Sequence, residues 1–100
     1  MKRKLPLAKL VATPEHVDAL KALAHPGRLD VFFTLVTARR EMAAGEIQET
    51  LQVPAPTLSH HLEQLRRAGL IQNRREERFI YYSVDSVMVN DLVRLLTACC

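Results

Sequence analysis

The sequence predicts a mainly α-helical domain carrying a β-hairpin wing, with its elements in the order αααα-ββ-α. Three observations predict it. Between Ala44 and Gly69, two short segments of helical apolar periodicity flank a turn at Val53, the second opened by Pro54-Ala55-Pro56, so two helices meet at a tight corner. After Gly69, Ile71–Arg75 and Arg78–Ser83 read as strands joined at Glu76-Glu77, the second rich in aromatic and β-branched residues. Asp85-Ser86 then caps one more apolar helix, running through Cys100. Two helices across a turn, followed by a charged hairpin, form a winged helix-turn-helix, a shape suited to duplex DNA.

Each element has its own local cause. Thr13-Pro14-Glu15 supplies an N-cap, a proline at the first helical position and an acid in the first turn. Val17, Leu20 and Leu23 follow at helical spacing. His25-Pro26 breaks that helix and opens the next, whose apolar face is Leu29, Phe32, Phe33 and Val36. The polar stretch TARREMAA reads as a loop. A short helix from about Ala44 to Gln52 turns Ile47 and Leu51 inward. Pro54-Ala55-Pro56 begins the fourth helix, because proline is tolerated in a first turn and not in an interior. Leu58, Leu62 and Leu65 fall at i, i+4 and i+7, one buried stripe, and Gly69 ends the helix as its left-handed residue. The last helix carries Val87, Met88, Val89, Leu92, Val93, Leu95 and Leu96. It is apolar nearly all round and needs cover on two sides. A small domain covers one side; a second copy of the chain is the natural cover for the other.

A chain of 100 residues makes one domain, here a flexible basic arm over 1–12 and a folded unit over 13–100. The formal charge of +3 suits a polyanionic partner. No apolar run approaches the roughly 18 residues of a membrane span. The start MKRKLPLAKLV is interrupted by Pro6 and Lys9 with no cleavage site after it, so it reads as an arm and not as a signal peptide. Both cysteines sit together at Cys99 and Cys100, which offers no disulfide framework and favours a reducing, cytoplasmic setting. A Gly-rich phosphate loop, an acid–base carboxylate pair and a nucleophile with a base are all missing from the sequence, so it does not read as an enzyme.

With the leucine stripe inward, the first two turns of the fourth helix present Thr57, Ser59 and His60 outward. Hydroxyls and an imidazole hydrogen-bond base edges in a major groove, and a helix N-terminus favours phosphate oxygens. His61 lies about 60° from Leu58 around the helix. It reads as a flank of the core or a phosphate contact. Arg74, Arg75 and Arg78 crowd into the wing as phosphate or minor-groove contacts. Arg67 extends this basic set, although its stem also serves to cover apolar surface.

Taken together, LKALAHPGRLDVFFTLV, GEIQETLQVPAPTLSHHLEQLRRAGLI and RREERFIYYSV resemble the ArsR/SmtB family of winged-helix transcriptional repressors over about residues 14 to 96. The resemblance implies a homodimer built from the first and last helices, repression by occupying double-stranded operator DNA, and release by an inducer. It places Thr57, Ser59, His60 and His61 in the recognition helix. Family members often carry glycine at the wing tip where this chain has Glu77, so a tight turn with positive φ would be strained there. The usual metal sites of the family are not matched. Gly45-Glu46-Ile47-Gln48-Glu49 contains no thiol, and Val87 stands where the last-helix site needs a histidine. His16, His25, His60 and His61 show no zinc-ligand spacing. The ending LLTACC is similar to that of an arsenite-responsive subgroup in which such a pair supplies two ligands. By that resemblance Cys99 and Cys100 hold a trivalent metalloid, As(III) or Sb(III), as soft thiolates do. A third thiol would then come from the partner subunit, from further chain or from a small molecule, whereas a methylated arsenical needs only two. A thiol-redox switch, a regulator with no ligand and a winged helix that binds protein instead of DNA are the competing readings.

Overall fold

The computed structural model describes residues 12–98. The basic arm before Ala12 and the Cys99-Cys100 pair lie outside the described residues. The elements are α1 (Pro14–Leu23), α2 (Pro26–Ala38), β1 (Met42–Ala43), α3 (Ala44–Leu51), α4 (Ala55–Arg67), β2 (Ile71–Glu76), β3 (Phe79–Val84) and α5 (Ser86–Thr97). The three strands form one antiparallel sheet in the order β1-β3-β2.

The sheet corrects one expectation. TARREMAA is not all loop: α2 runs on to Ala38, and Met42 and Ala43 pair with Tyr82 and Tyr81 of β3. A two-residue strand has no periodicity to read. It forms because β3 offers an open edge and because Met42, 5% exposed, seals the core there.

The helix boundaries follow the capping chemistry. Thr13 Oγ1 accepts from the His16 N–H, and His16 Nδ1 accepts in return from the Thr13 N–H. His25 Nδ1 accepts from the N–H groups of Gly27 and Arg28 to cap α2. Glu46 reaches back to the Ala43 N–H at the start of α3, and Asp85 accepts from Val87 and Met88 at the start of α5. At the end of α4, Gly69 adopts φ +81, which lets the Gly69 and Leu70 N–H groups return to the Arg66 and Leu65 carbonyls. That paired closure is a Schellman motif.

The core gathers Val31 and Leu35 from α2, Ile47 from α3, Leu62 and Leu65 from α4, and Leu70 just beyond it. The inward stripe of α4 lies where its spacing puts it. The faces of α1 and α2 do so only in part. On α1 the buried residues are Ala19 and Ala22, while Val17 and Leu20 lie outside. On α2 they are Val31, Phe32 and Leu35, with Phe33 and Val36 exposed. Alanines let α1 approach its neighbours closely; Leu23 packs partly buried against the core, and Val17 and Leu20 are turned out. On α5 only Leu92 is fully inside, and Val87 and Val93 are exposed.

Replacing Gly69 by Ala tests the α4 closure. A Cβ at φ +81 is strained, and it would also sit 3.3 Å from the Met88 Cε, a methyl able to yield. The expected loss is about 1–2 kcal/mol of unfolding free energy, read by urea denaturation. An unchanged midpoint would contradict it.

Candidate nucleic-acid interface

The approach to α4 is set by backbone. Gln52 takes φ +57 and returns its N–H to the Gln48 carbonyl at 2.7 Å, ending α3 in one residue. Pro54 then holds φ −61 and ψ 145, extended geometry that points the chain into α4. Pro54 has no side chain able to cap the helix, and Pro56 has no N–H. The Ala55 and Thr57 amides are left without a partner among the described residues. The first turn of α4 therefore carries unspent donors at the positive end of the helix dipole.

Thr57, Ser59 and His60 are exposed on this turn and the next, while Leu58 between them is 3% exposed. The three lie on the solvent side of a helix whose other side is the core. His61 is different and corrects its place among the DNA-contact candidates. It is 7% exposed, in the seam between α2 and α4, and only the core-flank reading fits it.

In the wing, Arg74 pairs across β2–β3 with Tyr81, and Arg75 with Ile80, so the two arginines emerge on opposite faces. Arg74 is clamped. Its Nε and Nη2 donate to the two carboxylate oxygens of Glu41 at 2.7 and 2.8 Å, its Nη1 donates to Glu76 at 2.8 Å, and its guanidinium lies 4.8 Å over the Tyr81 ring. The hydrogen bonds from Arg74 hold the Glu41 carboxyl below its usual range, and those same bonds push the Arg74 guanidinium up. Arg74 is thus a brace between wing and β1, neutralised by two carboxylates, and not the free cation its sequence neighbours suggested.

Arg67 is also less free than expected. Its Nε donates to Glu63 at 3.1 Å, and Arg66 makes two closer bonds to the same carboxylate. Arg66 first, then Arg67, pull the Glu63 carboxyl down to about 2. Arg75 and Arg78 form no ion pair among the described residues, and Arg78 lies 5.5 Å over the Phe79 ring. The wing's available charge is therefore Arg75 and Arg78, close to an exposed phenylalanine. Between them Glu77 takes φ +57, the strained wing-tip geometry expected where a glycine is usual.

Two participants escaped sequence reasoning. Glu41 lies 33 residues before Arg74, and only the β1–β3 pairing brings them together. Phe79 reads as an ordinary strand residue; its exposure of 48% follows from its place beside the tip, beyond the reach of the core.

A helix-turn-helix domain family matches residues 23–73. The transcriptional activator HlyU of Vibrio cholerae is 35% identical over 80 residues, which is 80% of this chain and 72% of its own. The chain belongs to the ArsR/SmtB-like family of transcriptional regulators. The solved structure of that HlyU superposes on this ArsR/SmtB-like chain with a TM-score of 0.68, covering 84% of it and 92% of HlyU. The biofilm growth-associated repressor of Agrobacterium fabrum is 40% identical over 79 residues, 79% of this chain and 66% of its own length. The match therefore spans slightly less than two thirds of that relative. A crystal structure described as a possible transcriptional regulator for arsenical resistance aligns at 27% identity with a TM-score of 0.71, covering 81% of this chain and 82% of that one.

The wing separates two kinds of arginine by experiment. Arg75→Ala or Arg78→Ala should each flatten the salt dependence of duplex binding by about one phosphate contact. Arg74→Ala should leave that slope nearly unchanged and lower the melting temperature instead. The reverse pattern in fluorescence anisotropy and thermal melts would contradict the brace.

Proposed function

We propose that this chain is a homodimeric transcriptional repressor that occupies double-stranded operator DNA with α4 and the β2–β3 wing. The observation that carries the reading is the division of α4. Leu58, Leu62 and Leu65 are spent on the core, which leaves Thr57, Ser59 and His60 exposed beside two amides without a partner among the described residues. Hydroxyls and an imidazole suit base edges; free amides, Arg75 and Arg78 suit phosphates. The name of the Agrobacterium relative supports repression as the outcome of binding.

Dimerisation is supported by the apolar residues that the single chain leaves uncovered, Val17 and Leu20 on α1 with Val93 on α5. A two-fold arrangement of these helices would set two recognition helices about one turn of DNA apart, ~34 Å. The inducer in this reading is As(III), Sb(III) or a methylated arsenical at Cys99 and Cys100. Its support is the vicinal thiol pair in the sequence just after Ala98 and the arsenical-resistance description of one structural neighbour. Ligation next to a dimer-forming helix would alter head spacing without touching DNA. A coupling of about 1–3 kcal/mol gives roughly a 5- to 150-fold change in operator affinity.

Ser59→Ala and His60→Ala should each reduce discrimination between operator and random duplex by about 1–3 kcal/mol. An equal loss on both duplexes, measured by competition binding, would contradict base reading by these side chains. For the inducer, arsenite titration should raise thiolate-to-arsenic absorbance and release the operator, and Cys99→Ser with Cys100→Ser should abolish both. Unchanged operator affinity in arsenite and antimonite would end the metalloid reading while leaving the operator reading intact.

A further inference from the structure

The aim of α4 depends on how it is seated against α2, and Gly27 meets His61 within that contact. A Cβ built on Gly27 would lie 2.6 Å from His61 Nε2, 3.2 Å from His61 Cδ2 and 3.3 Å from His25 Cε1. No side chain fits there while the His61 ring is in place. Gly27 also supplies one of the two N–H groups capped by His25 Nδ1, and the His25 and His61 rings lie 5.0 Å apart, tilted by 55°. The first turn of α2, its cap and the recognition helix thus meet at two imidazoles.

His61 is an unusual residue to bury at such a point. Its Nδ1 is the one buried side-chain polar atom without a hydrogen-bond partner among the described residues. The groups whose charge bears on it are His25 at the entry to α2, Arg28 on α2 and His60 on α4, whose ring is 6.1 Å away. Each is a cation or becomes one on protonation. Arg28 is fixed by a 2.6 Å bond from its Nε to the Ala22 carbonyl at the end of α1. Asp18 and Lys21 of α1 line the neighbouring cleft with Arg28, Gln64 and Arg67.

We propose that His61 is a positioning residue that seats the recognition helix on the first turn of α2 only while its imidazole is neutral, so that acid unseats α4 and weakens operator binding. This rests on the operator-binding reading above. A second proton on His61 would be buried among cations with no acceptor to receive it. Burial, then the fields of His25, Arg28 and His60, hold the His61 pKa below its ordinary 6.5. The unseated chain takes up the proton near 6.5, the seated chain only below it. Between those points the unseated form binds more protons. The seat is therefore fully present above 6.5 and weakens as pH falls through that window.

The test compares the wild-type chain with His61→Leu, which fills the seam without titrating. Operator affinity is followed by anisotropy at fixed salt from about pH 7.5 to about pH 5.5. The wild type should lose affinity steadily over that span. His61→Leu should lose markedly less than the wild type. A His61→Leu profile that falls in parallel with the wild type overturns the proposal. Thermal melts at neutral pH provide a readout without DNA. Gly27→Ala should lower the melting temperature of the wild type and not that of His61→Ala, where the ring is gone. Additive effects of the two substitutions overturn the seat even if His61→Leu fails to fold. Absence of duplex binding by the wild type at neutral pH overturns the operator reading and the pH claim with it. That failure is distinguishable, because the melts still report the Gly27–His61 contact by itself.

Discussion

The structure depends on one stripe of burial. Leu58, Leu62 and Leu65 leave solvent together, at 3%, 2% and 0% exposure, against a core built from α2, α3 and the base of the sheet. Each such side chain contributes about 2–5 kcal/mol by the usual effect of truncating leucine to alanine. That energy fixes the rotation of α4 about its own axis. The side of α4 that carries Thr57, Ser59 and His60 is exposed because the leucines cannot be in two places. The first-turn amides are free for a related reason: the prolines that make the turn bring no cap.

The wing is aimed by different physics. β2 is exposed beyond Ile71 and β3 is only half-buried, with Phe79 exposed at the tip, so apolar burial does little to hold their outer ends. The Arg74 brace to Glu41, reinforced by Glu76 and the Tyr81 ring, ties the outer face of the hairpin to the residue preceding β1. These are exposed pairs, individually weak in water, and their value lies in bidentate geometry and a shared partner. The same brace removes one arginine from the charge offered outward. A basic sequence run is therefore an upper bound on what a polyanion meets. Arg74 faces two carboxylates, Arg66 and Arg67 share Glu63, and Arg75 and Arg78 remain.

Much of this was legible in the sequence, and the limits have physical causes. The α3–α4 corner, the α4 stripe, the Gly69 closure and the hairpin were readable because each is specified within a few residues by proline, glycine or a clean period. The faces of α1 and α2 were read only in part, Leu23 and Phe32 packing as expected, because periodicity favours large side chains. Ala19 and Ala22 are buried at a close approach instead, and Val17, Leu20, Phe33 and Val36 point away. Strand β1 was too short to have a pattern. His61 sits near the edge of the buried sector, where helix geometry alone does not decide between core and surface; Gly27, thirty-four positions earlier in the chain, decides it by leaving room for the ring. The Arg74–Glu41 pair was likewise invisible, since no local rule links residues joined only through a sheet edge.

The central claim is that the outward side of the α4 N-terminus and the tip of the wing form one DNA-facing surface. An amide NMR titration of the whole protein with a duplex from its own promoter tests this most directly. The account predicts the largest shift changes at Ala55, Thr57, Ser59 and His60 and at Arg75 to Phe79, with α3 and the exposed face of α2 little affected. Changes concentrated on Phe33 and Val36 of α2, with the start of α4 silent, would contradict it.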